Sequence, residues 1–188
     1  MLLEKHLNIF YKEYGLLMIL PSGTTGTTGT TGTTGTKGST AMQKNAKIRS
    51  ACPADAAVIY QLIRPYMDDF AINQQGREKF RPERIVQLLH KQDVVYWLYE
   101  DQQVLGVIGY QCSGHLIHFF VAPDHLGQGI GRQLWAVFQD WVSQQKLSII
   151  TVNSSCYAKA MYEHLGFVAQ EPVTEMGGIR SVFMQKNL

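Results

Sequence analysis

Apolar residues recur along the chain with two periods, and the switches between them divide it into elements. Residues 47–51 form a short apolar-polar strand. Residues 55–67 set Ile59, Leu62, Ile63 and Tyr66 on one stripe, the spacing of a helix face, and Pro53 suits the turn ahead of it. A second helix is expected over 82–90, with Ile85, Leu88 and Leu89 inward. The β-rich run 94–99 follows, then a turn at Asp101-Gln102-Gln103, a strand over 104–112 and, across Ser113-Gly114, another over 115–121. Strands joined this closely pair antiparallel. Residues 129–145 place Ile130, Leu134, Val137, Phe138 and Trp141 on one face of an amphipathic helix. The next strand, 147–152, is reached by a strand–helix crossover and so lies parallel to 115–121. A helix over 155–165 and strands over 167–169 and 179–185 complete the order β-α-α-β-β-β-α-β-α-β-β, an α/β domain on a mixed sheet.

The first 45 residues read differently. The triplet Gly-Thr-Thr repeats from Gly23, and a segment without large apolar residues cannot offset the entropy of ordering, so 22–45 reads as a flexible linker. Ahead of it, 1–21 is a leader of uncertain role. Leu3, Leu7, Phe10 and Tyr14 suit a short helix docking on the domain or a partner; equally, the segment is dispensable and translation begins at Met42. The five apolar residues from Leu16 to Leu20 are too few to span a bilayer and no cleavage site follows, so neither a membrane anchor nor a secretory signal is expected. Domain 46–188 remains.

Composition narrows the class. A 45% hydrophobic content over 188 residues suits one globular domain with a substantial core. With 17 basic against 15 acidic residues and no long basic run, nucleic-acid binding is not expected. Cys52, Cys112 and Cys156 are odd in number, widely spaced and without metal-ligand spacing, which points to free, mostly buried thiols in a reducing cytoplasm and to no metal site.

The most informative stretch runs from His118 to Trp135, where an apolar strand enters a glycine-rich turn that opens into a helix. The first N–H groups of a helix have no intrahelical partner and lie at the positive end of its dipole. Gly127, Gly129 and Gly131 carry no Cβ, so the backbone from Leu126 through Gln128 and Ile130 to Arg132 can approach an anion closely. A pyrophosphate-bearing cofactor is implied. The spacing is G-x-G-x-G rather than the dinucleotide G-x-G-x-x-G, which argues against a nicotinamide or flavin fold.

Two blocks, Val121-x-Pro-x-x-x-Gly-x-Gly-Ile-Gly and Thr151-Val-Asn-Ser-Ser-Cys-Tyr-Ala-Lys-Ala-Met-Tyr-Glu-His-Leu-Gly-Phe167, resemble the pyrophosphate loop and the second motif of the GNAT superfamily of acyl-CoA-dependent N-acetyltransferases. The resemblance covers about residues 47–188. It departs at Leu126, where the family usually carries Gln or Arg; the backbone amides survive that change and a polar side chain is lost. The resemblance implies a mostly antiparallel sheet with a parallel pair splayed at the cofactor, helices on both faces, and acetyl-CoA as the acyl donor to a primary amine, small-molecule or peptide. It leaves a homodimer open.

Acyl transfer to an amine requires a neutral amine, a donor to the tetrahedral oxyanion and a proton for the departing thiolate. The resemblance puts Tyr162 beside the cofactor sulfur as the proton donor, although Ala158, Met161, Tyr162 and Leu165 also form an apolar stripe in which Tyr162 is an ordinary core residue. His115, in the better-matched position, and His118 are the candidate bases, and water alone is the alternative. The oxyanion is expected to meet a backbone N–H near Phe120 or Val121. Asn153 and Ser155 suit the pantetheine arm or its water, while Ser154 or Ser155 is also a natural cap of the following helix. Cys156 has no paired base and reads as a spectator. Tyr66, Asp68, Asp69 and Phe70 are the expected acceptor wall for a cationic amine, although the neighbouring Arg77, Lys79, Arg81 and Arg84 would serve an acidic substrate. The competing classes are a non-catalytic acyl-CoA-binding module and an interaction protein recruiting through residues 1–20.

Overall fold

The computed structural model describes residues 46–188. The expectations for the leader and linker lie outside the described residues. Strand β1 (Lys47–Ser50) leads through a 3-10 turn (Pro53–Asp55) to helix α1 (Ala56–Ile63). The single helix expected over 55–67 divides: Pro65 has no N–H to continue the α-helical ladder, and Arg64–Asp69 winds as a 3-10 helix. Two short helices, α2 (Gln74–Glu78) and α3 (Pro82–Leu89), precede β2 (Val94–Asp101), β3 (Gln103–Gln111) and β4 (His115–Val121). After a 3-10 turn at Pro123–His125 come α4 (Ile130–Gln144), β5 (Ile149–Ser154), α5 (Lys159–His164), β6 (Val168–Ala169), β7 (Thr174–Met176) and β8 (Ile179–Asn187).

Helix α2 and strand β7 have no counterpart in the sequence reading, and α5 begins at Lys159 rather than 155. Residues 155–158 form a turn in which the Ser155 hydroxyl accepts the Ala158 N–H at 3.0 Å.

The sheet runs β1-β2-β3-β4-β5-β8-β6, with β7 paired to β8. All pairings are antiparallel except β4 with β5, the expected parallel pair. Helices cover both faces. On one, Ile59, Leu62, Ile63 and Ile85 of α1 and α3 bury against Tyr96, Leu98 and Val107. On the other, Leu134, Trp135 and Phe138 of α4 and Tyr162 of α5 bury against Ile108, Tyr110, Val152 and Met184. Removing these apolar side chains from water on both faces drives the three layers together.

The thiols correct the sequence reading in one respect. Cys52, Cys112 and Cys156 are free, as expected, but all three are exposed, because each sits on a connection outside the buried faces.

Candidate active site

Strands β4 and β5 pair only at His115↔Thr151 and Leu116↔Val152. Past that point β4 continues to Val121 without β5. The split coincides with a β-bulge, since β3 pairs Tyr110 with Leu116 and Gly109 with His118, leaving Ile117 unopposed. A bulge adds one residue and reverses which face the following side chains take. Leu116 thus faces α4, whereas His118 faces the α1 and α3 layer, with ring centroids 5.8 Å from Phe80 and 6.0 Å from Phe120.

The gap between the parting strands has a polar edge. The Ala122 N–H donates to Leu105 of β3 at 2.8 Å. By strand alternation the Phe120 N–H also faces β3, and those of Phe119 and Val121 face the gap. Of the two backbone positions considered for the oxyanion, Val121 is therefore the one directed to the opening. Its carbonyl accepts the Tyr66 hydroxyl at 2.8 Å.

Beyond Val121 the chain builds the anion loop. Gly127 and Gly129 have φ of 76° and 82°, the left-handed region that glycine enters without penalty, and nothing lies within 4 Å of where a Cβ would stand on either. The Leu126 N–H donates to the Pro123 carbonyl at 3.2 Å, so Leu126 drops out of the expected donor set. From Gly127 to Arg132 no N–H has an acceptor among the described residues, and the α4 ladder begins with Gln133 bonded to Gly129. Six consecutive unpartnered amides at a helix N-terminus, on glycine backbone with open space around it, fit a pyrophosphate. Leu126 itself is 56% exposed.

Asn153 is exposed and in register with Phe183 near the end of β5, and Ser155 follows it into the turn. Tyr162 is buried in the α4-side core, edge-on to Phe167 at 5.5 Å; its hydroxyl has no hydrogen-bond partner among the described residues, and burial holds its pKa well above that of a free phenol. His115 lies one pair before the strands part, with Nδ1 2.8 Å from the Thr151 hydroxyl. The His118 Nδ1 is 2.8 Å from the buried Tyr96 hydroxyl. Burial pushes the pKa of each histidine down to about 4.

Of the acceptor wall, Tyr66 and Phe70 converge with Phe120, at 5.6 and 6.2 Å, and Phe80 closes on Phe70 at 4.6 Å. Asp68 turns outward, 83% exposed and ion-paired with Arg77. Asp69 stays beside Tyr66, whose pKa is raised first by burial and then by Tyr157 and Asp69. Sequence reasoning missed Phe80, Tyr96 and Tyr157; the last is 76% exposed in the turn after β5.

The sequence profile of the acetyltransferase (GNAT) domain matches residues 68–188, and the chain belongs to this family. It is an enzyme of the N-acetyltransferase class, whose reaction is acetyl transfer from acetyl-CoA. Solved structures share the fold. A GCN5-related N-acetyltransferase from Rhodopseudomonas palustris superposes with a TM-score of 0.63 at 20% identity, over 80% of this chain and 100% of that one. The PaiA N-acetyltransferase from Thermoplasma acidophilum, solved with coenzyme A, gives 0.60 at 13%, over 77% and 99%. A ribosomal-protein-alanine N-acetyltransferase from Brucella melitensis gives 0.58 at 21%, over 76% and 99%. Among the described residues no helix is long and apolar enough to cross a membrane.

Proposed function

We propose that the chain acetylates a primary amine, carried by a small molecule or a peptide, by direct attack within a ternary complex with acetyl-CoA. The observation that carries this reading is the continuity of the unpartnered amides from Gly127 to Arg132 with the gap that opens past Leu116 and Val152. Acetyl-CoA supplies the acyl thioester. The amides hold the pyrophosphate, with the side chains of Gln128 and Arg132 at the rim. Asn153 and Ser155 line the β5 side of the gap for the pantetheine arm. The Val121 N–H, held in the strand, offers a preorganised dipole to the oxyanion.

Tyr162 holds a proton at its hydroxyl for the departing thiolate. Burial keeps that phenol protonated across the working pH range. The amine proton leaves through water. His115 and His118 are neutral at pH 7, but bases with a pKa of about 4 are poorly matched to an alkylammonium. Tyr66, Phe70 and Asp69 form the acceptor wall, with Asp68 at its outer rim.

The test is to follow CoA release against a panel of amines with the full chain. Replacing Tyr162 with Phe should lower turnover more than tenfold while CoA affinity holds. Unchanged turnover removes Tyr162 from the mechanism, and CoA binding without release against any amine identifies a non-catalytic module.

A further inference from the structure

Tyr96, Gly109 and His118 form one row across three strands, with Tyr96 opposite Gly109 on β3 and Gly109 opposite His118 on β4. The middle position has no side chain. A Cβ there would collide with the Tyr96 ring, so the ring lies over Gly109 and carries its hydroxyl to within 2.8 Å of the His118 Nδ1. The bulge at Ile117 puts the histidine on the face where this contact is made. Three local irregularities, an interior glycine, a bulge and a buried phenol, converge on one hydrogen bond.

Its direction follows from counting hydrogens. The Tyr96 side chain is buried, and its oxygen has no other partner among the described residues. If it donates to Nδ1, the phenol hydrogen is satisfied and the ring proton resides on Nε2. With the roles reversed, that hydrogen is left unpaired in the core, disfavoured on the order of tenfold to a hundredfold. Among the described residues the His118 Nε2 has no hydrogen-bond partner, and although the residue is only 4% exposed this nitrogen is not fully enclosed, as the unpartnered His125 Nδ1 is. The ring lies against Phe80 and Phe120, which both pack on Phe70, and its Nε2–H is the donor left for a further partner on that side.

We propose that His118, locked by Tyr96 as the Nε2–H tautomer, donates a hydrogen bond to the acceptor substrate, and that this substrate is an amine bearing a carbonyl beside an apolar or aromatic group, as in an amino-acid amide or a peptide amino end. The aromatic wall takes the side chain and the single N–H takes the carbonyl. Asp69 leaves a carboxylate beside Tyr66 in the wall, whereas Asp68 is engaged with Arg77 at the surface. A polyamine has no carbonyl oxygen to accept from Nε2. This inference rests on the acetyl-transfer reading above. His118 touches substrate, and Tyr96 is a positioning residue acting through it.

Nitrogen NMR of the imidazoles in the full chain reads the tautomer directly, without substrate. The expected result is a protonated Nε2 and an unprotonated Nδ1 at His118, with the two forms mixing in Tyr96→Phe. A protonated Nδ1 in the wild type overturns the proposal. Phenylalanine amide and phenethylamine give the second readout, compared as kcat/KM for the free amine because the carbonyl group also lowers the basicity of its neighbouring nitrogen. The amide should be preferred at least tenfold in kcat/KM, mainly through KM. His118→Gln, which keeps a donor near Nε2, should retain the preference, and His118→Leu should abolish it. Equal use of both amines by the wild type, or a preference that survives in folded His118→Leu, overturns the assignment while leaving acetyl transfer intact. Failure of every amine with CoA still bound removes the acetyl-transfer reading, and this inference with it.

Discussion

Tyr66 donates its phenol hydrogen to the Val121 carbonyl over 2.8 Å, joining the 3-10 segment after α1 to the last residue of β4. The Val121 N–H, like that of Phe119, faces the gap between the parting strands, so the bond fixes the end of the peptide edge that would meet an oxyanion. Removing it with Tyr66→Phe should lower stability by about 1 kcal/mol, the usual net worth of one such bond. The account expects kcat to fall several-fold with CoA affinity unchanged, measured by steady-state kinetics and calorimetry on the same preparation. A change confined to CoA affinity would place Tyr66 elsewhere in the site.

Gly129 caps α4 with φ of 82°. An alanine there takes a left-handed conformation that costs about 1–2 kcal/mol. Nothing lies within 4 Å of the added Cβ, so the effect on folding is conformational rather than steric. The methyl group instead occupies the approach to the free amides. Gly129→Ala should weaken CoA binding tenfold or more, alongside a modest drop in melting temperature.

Leu126 stands where the family usually has a polar or cationic side chain, and it is exposed, so a replacement there meets no packing constraint. Leu126→Arg should tighten CoA several-fold without altering thermal stability. The gain should shrink as salt rises, because screening over about 8–10 Å at physiological ionic strength weakens an exposed charge pair. A salt-independent gain would point to apolar contact instead.

The continuous fold from β4 through the glycine turn into α4 is legible in the sequence because each part is local: an alternating strand, glycines without a Cβ, and a helical stripe. Helix α2 and strand β7 are not. Each spans fewer residues than a period needs to declare itself, and they are held by tertiary contacts: the Ile72 N–H donates to the Gly178 carbonyl at 2.9 Å, and a Cβ on Gly76 would strike that same carbonyl. The site divides in the same way. The anion loop, Tyr162 and the strand histidines could be found from motifs. The face His118 takes could not, because it depends on the bulge at Ile117, and Tyr96 acquires its role only by lying across Gly109 on the neighbouring strand. Glycine inside a strand is itself a signal of close approach, and Gly109 carried it. Asp68 and Asp69 look alike in sequence; only the fold shows Arg77 drawing the first outward.

Away from the site, Arg49 binds Asp55 through two bonds of 2.9 and 2.8 Å and also pairs with Glu100, and the Cys52 N–H donates to Asp55 at 2.8 Å. The guanidinium, ahead of the backbone donor, pulls the Asp55 pKa down to about 2. A lowered folded-state pKa means stability that is fully present above the unfolded carboxylate range, near 3.9, and lost as pH falls toward about 2. Asp55→Asn should therefore be less stable than the wild type by about 2 kcal/mol at neutral pH, and the difference should narrow below about pH 4. Urea denaturation across that range checks it; a constant difference would mean packing, not charge, sets the role of Asp55.

The claim on which the rest stands is that the six amides from Gly127 to Arg132 and the opening beside them receive the pyrophosphate arm of acetyl-CoA. Isothermal titration of the full chain with CoA measures this most directly. Saturable binding at one site per chain, displaced by acetyl-CoA and weakened by Gly129→Ala, is the expected result. Absence of heat and of competition up to millimolar ligand would contradict it.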